Sequence, residues 1–147
     1  MDEPVVEAVS DWNGFYAGIG IDVQNSTTIV EHLASFQAVV GANAQMDSFL
    51  LGVEGYGAAR FSDITGWYYA FGVEGRAGVV ISDAAVVYGA LGVETVGSGT
   101  YYRTMGLGVE FMVADNTSVD LEYKRYEQVG GGWNGDAISA QLLWHFN

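Results

Sequence analysis

The sequence predicts an all-β fold, an eight-stranded antiparallel up-and-down barrel that crosses a membrane. Three observations lead there. Apolar residues recur at every second position through most of the chain, the alternating segments are long, and aromatic residues gather at their ends. A period of two marks strands with two unlike faces. Strands of soluble proteins average about 5–6 residues, whereas about 9–11 tilted residues are needed to cross a hydrocarbon core.

The first segment, 14–24, puts Phe15, Ala17, Ile19, Ile21 and Val23 on one face and Gly18, Gly20, Asp22 and Gln24 on the other. The second runs over 35–45. The third, 48–60, contains Leu51-Gly-Val-Glu-Gly55, and the pattern returns in the next three segments. It reads Phe71-Gly-Val-Glu-Gly75 in 67–81, Leu91-Gly-Val-Glu-Thr95 in 84–97 and Leu107-Gly-Val-Glu-Phe111 in 101–113. In each copy the bulky residue and Val share one face while Gly and Glu share the other. That is a repeated solution to building a two-faced strand, which alternation produces by itself, rather than a ligand box. Segment 117–129 carries Asp120, Glu122 and Lys124 at alternate positions. Segment 136–146 sets Ile138, Ala140, Leu142, Trp144 and Phe146 against Ser139, Gln141, Leu143 and His145.

Composition narrows the function classes. The 147 residues carry a net charge of −13 and 21 glycines, with no cysteine. A chain this acidic has no basic stripe to neutralise phosphates, which excludes a nucleic-acid partner. Lacking Cys, it has no disulfide framework, thiol nucleophile or thiolate metal site. Its two histidines, His32 and His145, are too far apart in the chain to suggest a metal site, so neither metal nor cofactor is expected. No stretch reads as a transmembrane helix, since the best candidate, Val79 to Val93, contains Asp83 and is cut by Gly89 and Gly92. The start, Met1-Asp2-Glu3-Pro4, has no basic region or apolar core. The expectation is a mature chain with residues 1–11 as an acidic periplasmic tail and 12–147 as the barrel.

Alternation alone does not say which face meets water; the strand ends do. Trp12, Phe15, Tyr16, Trp144 and Phe146 fall at the edge holding the termini. Phe36, Phe61, Trp67, Tyr68, Tyr69, Tyr101, Tyr102, Tyr123, Tyr126 and Trp133 fall at the opposite edge. Two aromatic girdles around a band of Val, Leu and Ala are the anchoring pattern of a membrane barrel, apolar outside and polar inside. The links agree: they are short on the terminus side (Gln45 to Asp47, Ser82-Asp83, Ala114 to Asn116). On the other side they are in part longer (Asn25 to Ala34, Ser62 to Gly66, Gly97 to Thr100, Gly130 to Gly135).

At the ends of the barrel region the chain resembles a known family, the small eight-stranded outer-membrane barrels of Gram-negative bacteria, of the opacity and OmpA-like type. Trp12-Asn13-Gly14-Phe15-Tyr16-Ala17-Gly18 is similar to the Trp-x-Gly-Phe-Tyr-x-Gly start of that family's first strand. Leu142-Leu143-Trp144-His145-Phe146 resembles the terminal aromatic signal read by the barrel assembly machinery, although Asn147 follows the aromatic where such chains usually end on it. The resemblance implies a location in the cell outer membrane, among its lipids and lipopolysaccharide.

Eight strands enclose room for side chains but not for an aqueous pore. The inward face is expected to hold Asp22, Glu54, Glu74, Glu94, Glu110, Asp120 and Glu122 against Arg76 and Lys124, with Arg60 near the outer rim. Acids outnumber bases, so hydration, protonation or a bound cation must compensate them. Gly55, Gly57, Gly75, Ala77 and Gly89, together with Ala59 and Ala85, are expected on the lipid face of neighbouring strands. There, small residues allow another membrane surface to approach closely. The resulting expectation is a non-enzymatic structural barrel, able to associate laterally with itself or another membrane protein. Two alternatives belong to other classes. His32, Ser62 and Asp63 loosely resemble the residue types of lipid A-modifying outer-membrane enzymes, though as loop and turn residues they need no such role. A narrow cation-conducting or small-ligand barrel is the other.

Overall fold

A computed structural model describes residues 12–97 and 99–146; the expected tail and Asn147 lie outside the described residues. Eight strands follow one another as β1 (Gly14–Ser26), β2 (His32–Met46), β3 (Phe49–Ser62), β4 (Gly66–Ser82), β5 (Ala85–Val96), β6 (Thr100–Ala114), β7 (Thr117–Gln128) and β8 (Asn134–Phe146). Each pairs antiparallel with its neighbours, and β8 returns to β1 from Phe15↔Phe146 to Ser26↔Gly135, which closes the barrel. Closure leaves no unpaired strand edge, the condition for a sheet in hydrocarbon.

The strands are those the period of two predicts, extended by a few residues where the ladder continues past the alternation. The largest extension is at the start of β2, where His32 pairs with Asn25. Turns at the terminus end are tight, and Asp47 adopts φ 56° in one of them, a left-handed conformation that Asp tolerates better than most residues. Register shifts between Val80 and Ser82 and between Met112 and Ala114 place small irregularities at the same end.

The two walls differ sharply. Ile19, Val40, Val53, Phe71, Leu91 and Leu107 are all exposed on the outer wall, Leu107 at 69 %. Asp22, Glu54, Glu74, Arg76, Glu94, Glu110, Asp120, Glu122 and Lys124 are all buried on the inner one. An apolar exterior around a charged interior suits a lipid-immersed barrel and would be untenable in water. The chain therefore has the fold of a transmembrane β-barrel.

Candidate functional site

The lumen is built on a motif that recurs every second strand. Tyr16 of β1 stands directly opposite Gly41 of β2, and its hydroxyl donates to Glu54 Oε1 of β3 at 2.6 Å. Tyr56 of β3 stands opposite Gly72 of β4 and donates to Glu94 Oε1 of β5 at 2.8 Å. Tyr88 of β5 stands opposite Gly108 of β6 and donates to Asp120 Oδ1 of β7 at 2.6 Å. Each ring lies flat across the glycine because nothing projects there. A Cβ on Gly41, Gly72 or Gly108 would come within 2.4 Å of the ring or its hydroxyl. Three of the 21 glycines and the three tyrosine–acid contacts thus have one origin.

Three cations complete the network. Arg76 Nη2 donates to Glu110 Oε1 at 2.8 Å and Nη1 to the Tyr16 hydroxyl at 2.9 Å, and its guanidinium carbon lies 4.2 Å from the Tyr88 ring centre. Arg60 donates to both oxygens of Glu94, at 2.6 and 3.3 Å. Lys124 Nζ sits 3.1 Å from Glu74 Oε1. Glu54 and Glu74 face each other across β3 and β4, an arrangement that would repel; each is instead paired with a different cation, Arg76 for Glu54 at 3.8 Å and Lys124 for Glu74. Asp22 accepts from the Ser35 hydroxyl at 2.5 Å. At the terminus end His145 Nε2 lies 2.8 Å from Ser118 Oγ and 3.1 Å from Glu110 Oε2, with Trp12 edge-on above its ring.

Several predicted girdle residues lie elsewhere. Phe15, Trp67, Tyr69, Tyr101, Tyr123, Trp144 and Phe146 are exposed on the outer wall. Trp12 and Tyr16 are 0 % and 1 % exposed: they point into the lumen, because both share the sequence parity of Gly18, Gly20 and Asp22. Tyr126 is buried for the same reason, sharing the parity of Glu122 and Lys124. Trp133 is half-buried in the link from β7 to β8, where its indole N–H donates to Glu31 Oε1 at 2.8 Å.

Concavities open on the outer wall and at one mouth of the barrel. On the outer wall, Gly75, Ala77 and Gly89 floor a groove of about 780 Å³ walled by Leu51, Leu91 and Leu107. The single lipid-facing surface expected from the sequence is divided: Gly55 lines a separate depression beside Val53 and Phe146, Gly57 sits beside the Phe71 ring, and Ala85 is buried. At the mouth remote from the termini, a cavity of about 570 Å³ opens between Glu31, Tyr68, Tyr102 and Trp133, with Arg60 and Glu94 on its floor. Glu31 carries no strand signal, which is why alternation does not single it out.

His32, Ser62 and Asp63 do meet at the mouth but not as a catalytic relay. His32 donates its backbone N–H to Asp63 at 3.1 Å while its imidazole Nδ1 lies 2.6 Å from Asn25 Oδ1. The Ser62 hydroxyl donates to Glu31 and accepts from the backbone N–H of Ile64 and Thr65, closing the turn.

No family model matches the sequence, and no curated protein does. Solved structures with the same fold are found. Neisserial surface protein A is 12 % identical, with 90 % of this chain aligned to 97 % of that one at a TM-score of 0.59. The N-terminal β-barrel domain of Pseudomonas aeruginosa OprF is 8 % identical, with 90 % aligned to 99 % at 0.57. A de novo designed transmembrane β-barrel is 17 % identical, with 93 % aligned to 99 % at 0.59. The shared feature is the small eight-stranded membrane barrel, and one of these three neighbours is a design, so the likeness speaks to fold alone.

Proposed function

We propose that this protein is a structural barrel of the cell outer membrane, without enzymatic activity, that packs the envelope and associates laterally through its outer wall. The observation that carries the reading is the filled lumen. Tyr16, Tyr56 and Tyr88 lie across the interior, and Arg60, Arg76 and Lys124 tie their acid partners together, leaving the apolar outer wall as the larger surface for interaction. On this reading its partners are outer-membrane lipid and lipopolysaccharide, the assembly machinery during insertion, and a second copy or another membrane protein at the groove of Gly75, Ala77 and Gly89. A non-enzymatic role is supported by the engagement of Ser62 with Glu31 and of the His32 imidazole with Asn25, which leaves no nucleophile–base pair among those residues.

The test is electrophoresis of unheated and boiled samples beside crosslinked membranes. A heat-dependent shift together with a crosslinked ladder is expected. A protein that stays soluble without detergent and shows no shift would overturn the membrane placement. Gly75→Leu should fill the groove and abolish the ladder, and a ladder that survives would remove lateral association from the proposal. In a planar bilayer no steady conductance is expected; a constant open current would favour the conducting alternative.

A further inference from the structure

The mouth cavity has a charge problem that the chain does not solve. Glu31 ends the link from β1 to β2 and is only 8 % exposed. Its carboxylate accepts from two neutral donors, the Ser62 hydroxyl and the Trp133 indole N–H. Among the described residues no Lys, Arg or His pairs with it. Arg60, the cation within the cavity, is committed on every side: it holds both oxygens of Glu94, and its guanidinium lies 6.0 Å from the Tyr68 ring centre and 5.6 Å from that of Tyr126. Two carboxylates therefore share the cavity with one guanidinium, and the uncompensated one is at the entrance. A buried carboxylate lacking a counter-charge is costly, and a cation arriving from solution relieves that cost.

The walls say which kind of cation. Tyr102 and Trp133 stand at right angles, ring centres 5.6 Å apart, and form a corner beside Glu31. Aromatic faces attract ammonium groups, and rings meeting at a corner are the element from which cages for alkylated ammonium ions are built. Ile29, Leu33, Ile64 and Val96 add apolar lining beside the polar Gln24 and Thr65, and suit an apolar body. A volume of about 570 Å³ is that of a small-molecule site. A bare metal ion is poorly served, since Glu31 is the one carboxylate there free of a cationic partner and no group of three or more metal-ligating side chains occurs among the described residues. An anion would meet Glu31 at the entrance.

We propose that the mouth of the barrel binds an organic ammonium ion with an apolar body, its charge taken by Glu31 and its alkyl groups by Tyr102 and Trp133. The site is separate from the outer-wall groove, so it stands or falls independently of lateral association.

The test uses the full chain in a maltoside detergent, because phosphocholine detergents carry such a cation themselves. Benzyltrimethylammonium chloride is titrated while the indole N–H resonance of Trp133 is followed by NMR. A saturable shift is expected, with little response to the anionic counterpart benzenesulfonate. Glu31→Gln should weaken binding about tenfold or more, the scale of a lost charged contact. Tyr102→Ala, which leaves the carboxylate in place, should weaken it as well. Each variant is first checked for the heat-dependent gel shift; if Glu31→Gln fails it, Tyr102→Ala carries the test. No saturable shift, equal binding of benzenesulfonate, or unchanged affinity in a folded variant would overturn the proposal.

Discussion

A Cβ added at Gly18 or Gly92 would lie 2.2 or 2.4 Å from a backbone oxygen of the neighbouring strand, and one at Gly72 would lie 2.4 Å from the Tyr56 ring. One added at Gly75 meets nothing nearer than 4.0 Å, and one at Gly89 nothing nearer than 3.8 Å. The first three glycines face the lumen and the last two face outward. Inside, glycine is demanded by what lies on top of it: a tyrosine ring held by an acid two strands away, or the neighbouring ladder itself. At Gly75 and Gly89 the fold makes no such demand, and a methyl group would make only ordinary van der Waals contact. Identical residues on adjacent strands thus answer to different constraints, packing on one wall and surface shape on the other.

The contrast can be broken most decisively at the lumen's central cation. Arg76→Leu leaves Glu54 and Glu110 without their counter-charge and takes a donor from the Tyr16 hydroxyl. Removing one partner of a buried ion pair costs about 3–5 kcal/mol. Urea unfolding in detergent, followed by tryptophan fluorescence, should show a loss of that size; a midpoint like that of the parent would mean that the network contributes little.

Lumenal glycine comes next. Gly72→Ala should cost about 1–3 kcal/mol, as overpacking does in a filled core, because Tyr56 must leave its place and its bond to Glu94. The same substitution in a Tyr56→Ala background should be nearly free, and that double-mutant comparison isolates the ring as the cause. Equal costs in both backgrounds would place the constraint in the backbone instead.

Milder still is Tyr88→Phe, which keeps the ring over Gly108 and removes only the donor to Asp120, for a loss of about 1–3 kcal/mol at most if Asp120 finds no other donor. Gln141 Nε2, 3.2 Å from Asp120 Oδ2, already supplies one, so the lower end is expected. Smallest of all is Gly75→Ala, within about 0.5 kcal/mol of the parent in the same unfolding experiment. A larger loss there would erase the distinction between the walls.

Most of this arrangement is legible in the sequence. Alternation gives all eight strands, their neighbours and the inward set of acids and bases, since strand parity alone decides which wall a side chain joins. It also assigns Tyr16 and Trp12 to the wall of Gly18 and Asp22; grouping them with Phe15 by nearness to the strand end conflicts with parity, and the structure follows parity. The tyrosine-over-glycine contact is harder to read, because it depends on register: Tyr56 and Gly72 are paired only once β3 and β4 are aligned. Trp133 and Glu31 are beyond the pattern altogether. They sit in links, where no period constrains direction, and their contact joins residues 102 positions apart.

The tyrosine bridges run from β1 to β3, from β3 to β5 and from β5 to β7, and stop there. At the last strand the ties turn back, with Gln141 and His145 of β8 reaching Asp120 and Glu110 on β7 and β6. Across the joint between β8 and β1, the lumen offers ring contacts, Tyr16 and Trp12 against His145, beside the main-chain ladder. An open sheet could therefore carry its tyrosine bridges before its first and last strands meet, whereas the contacts of Arg76 with Tyr16 and of Lys124 with Glu74, each three strands apart, wait for the sheet to curl. Zipping that one joint, whose ladder is as long as that between β1 and β2, finishes the cylinder.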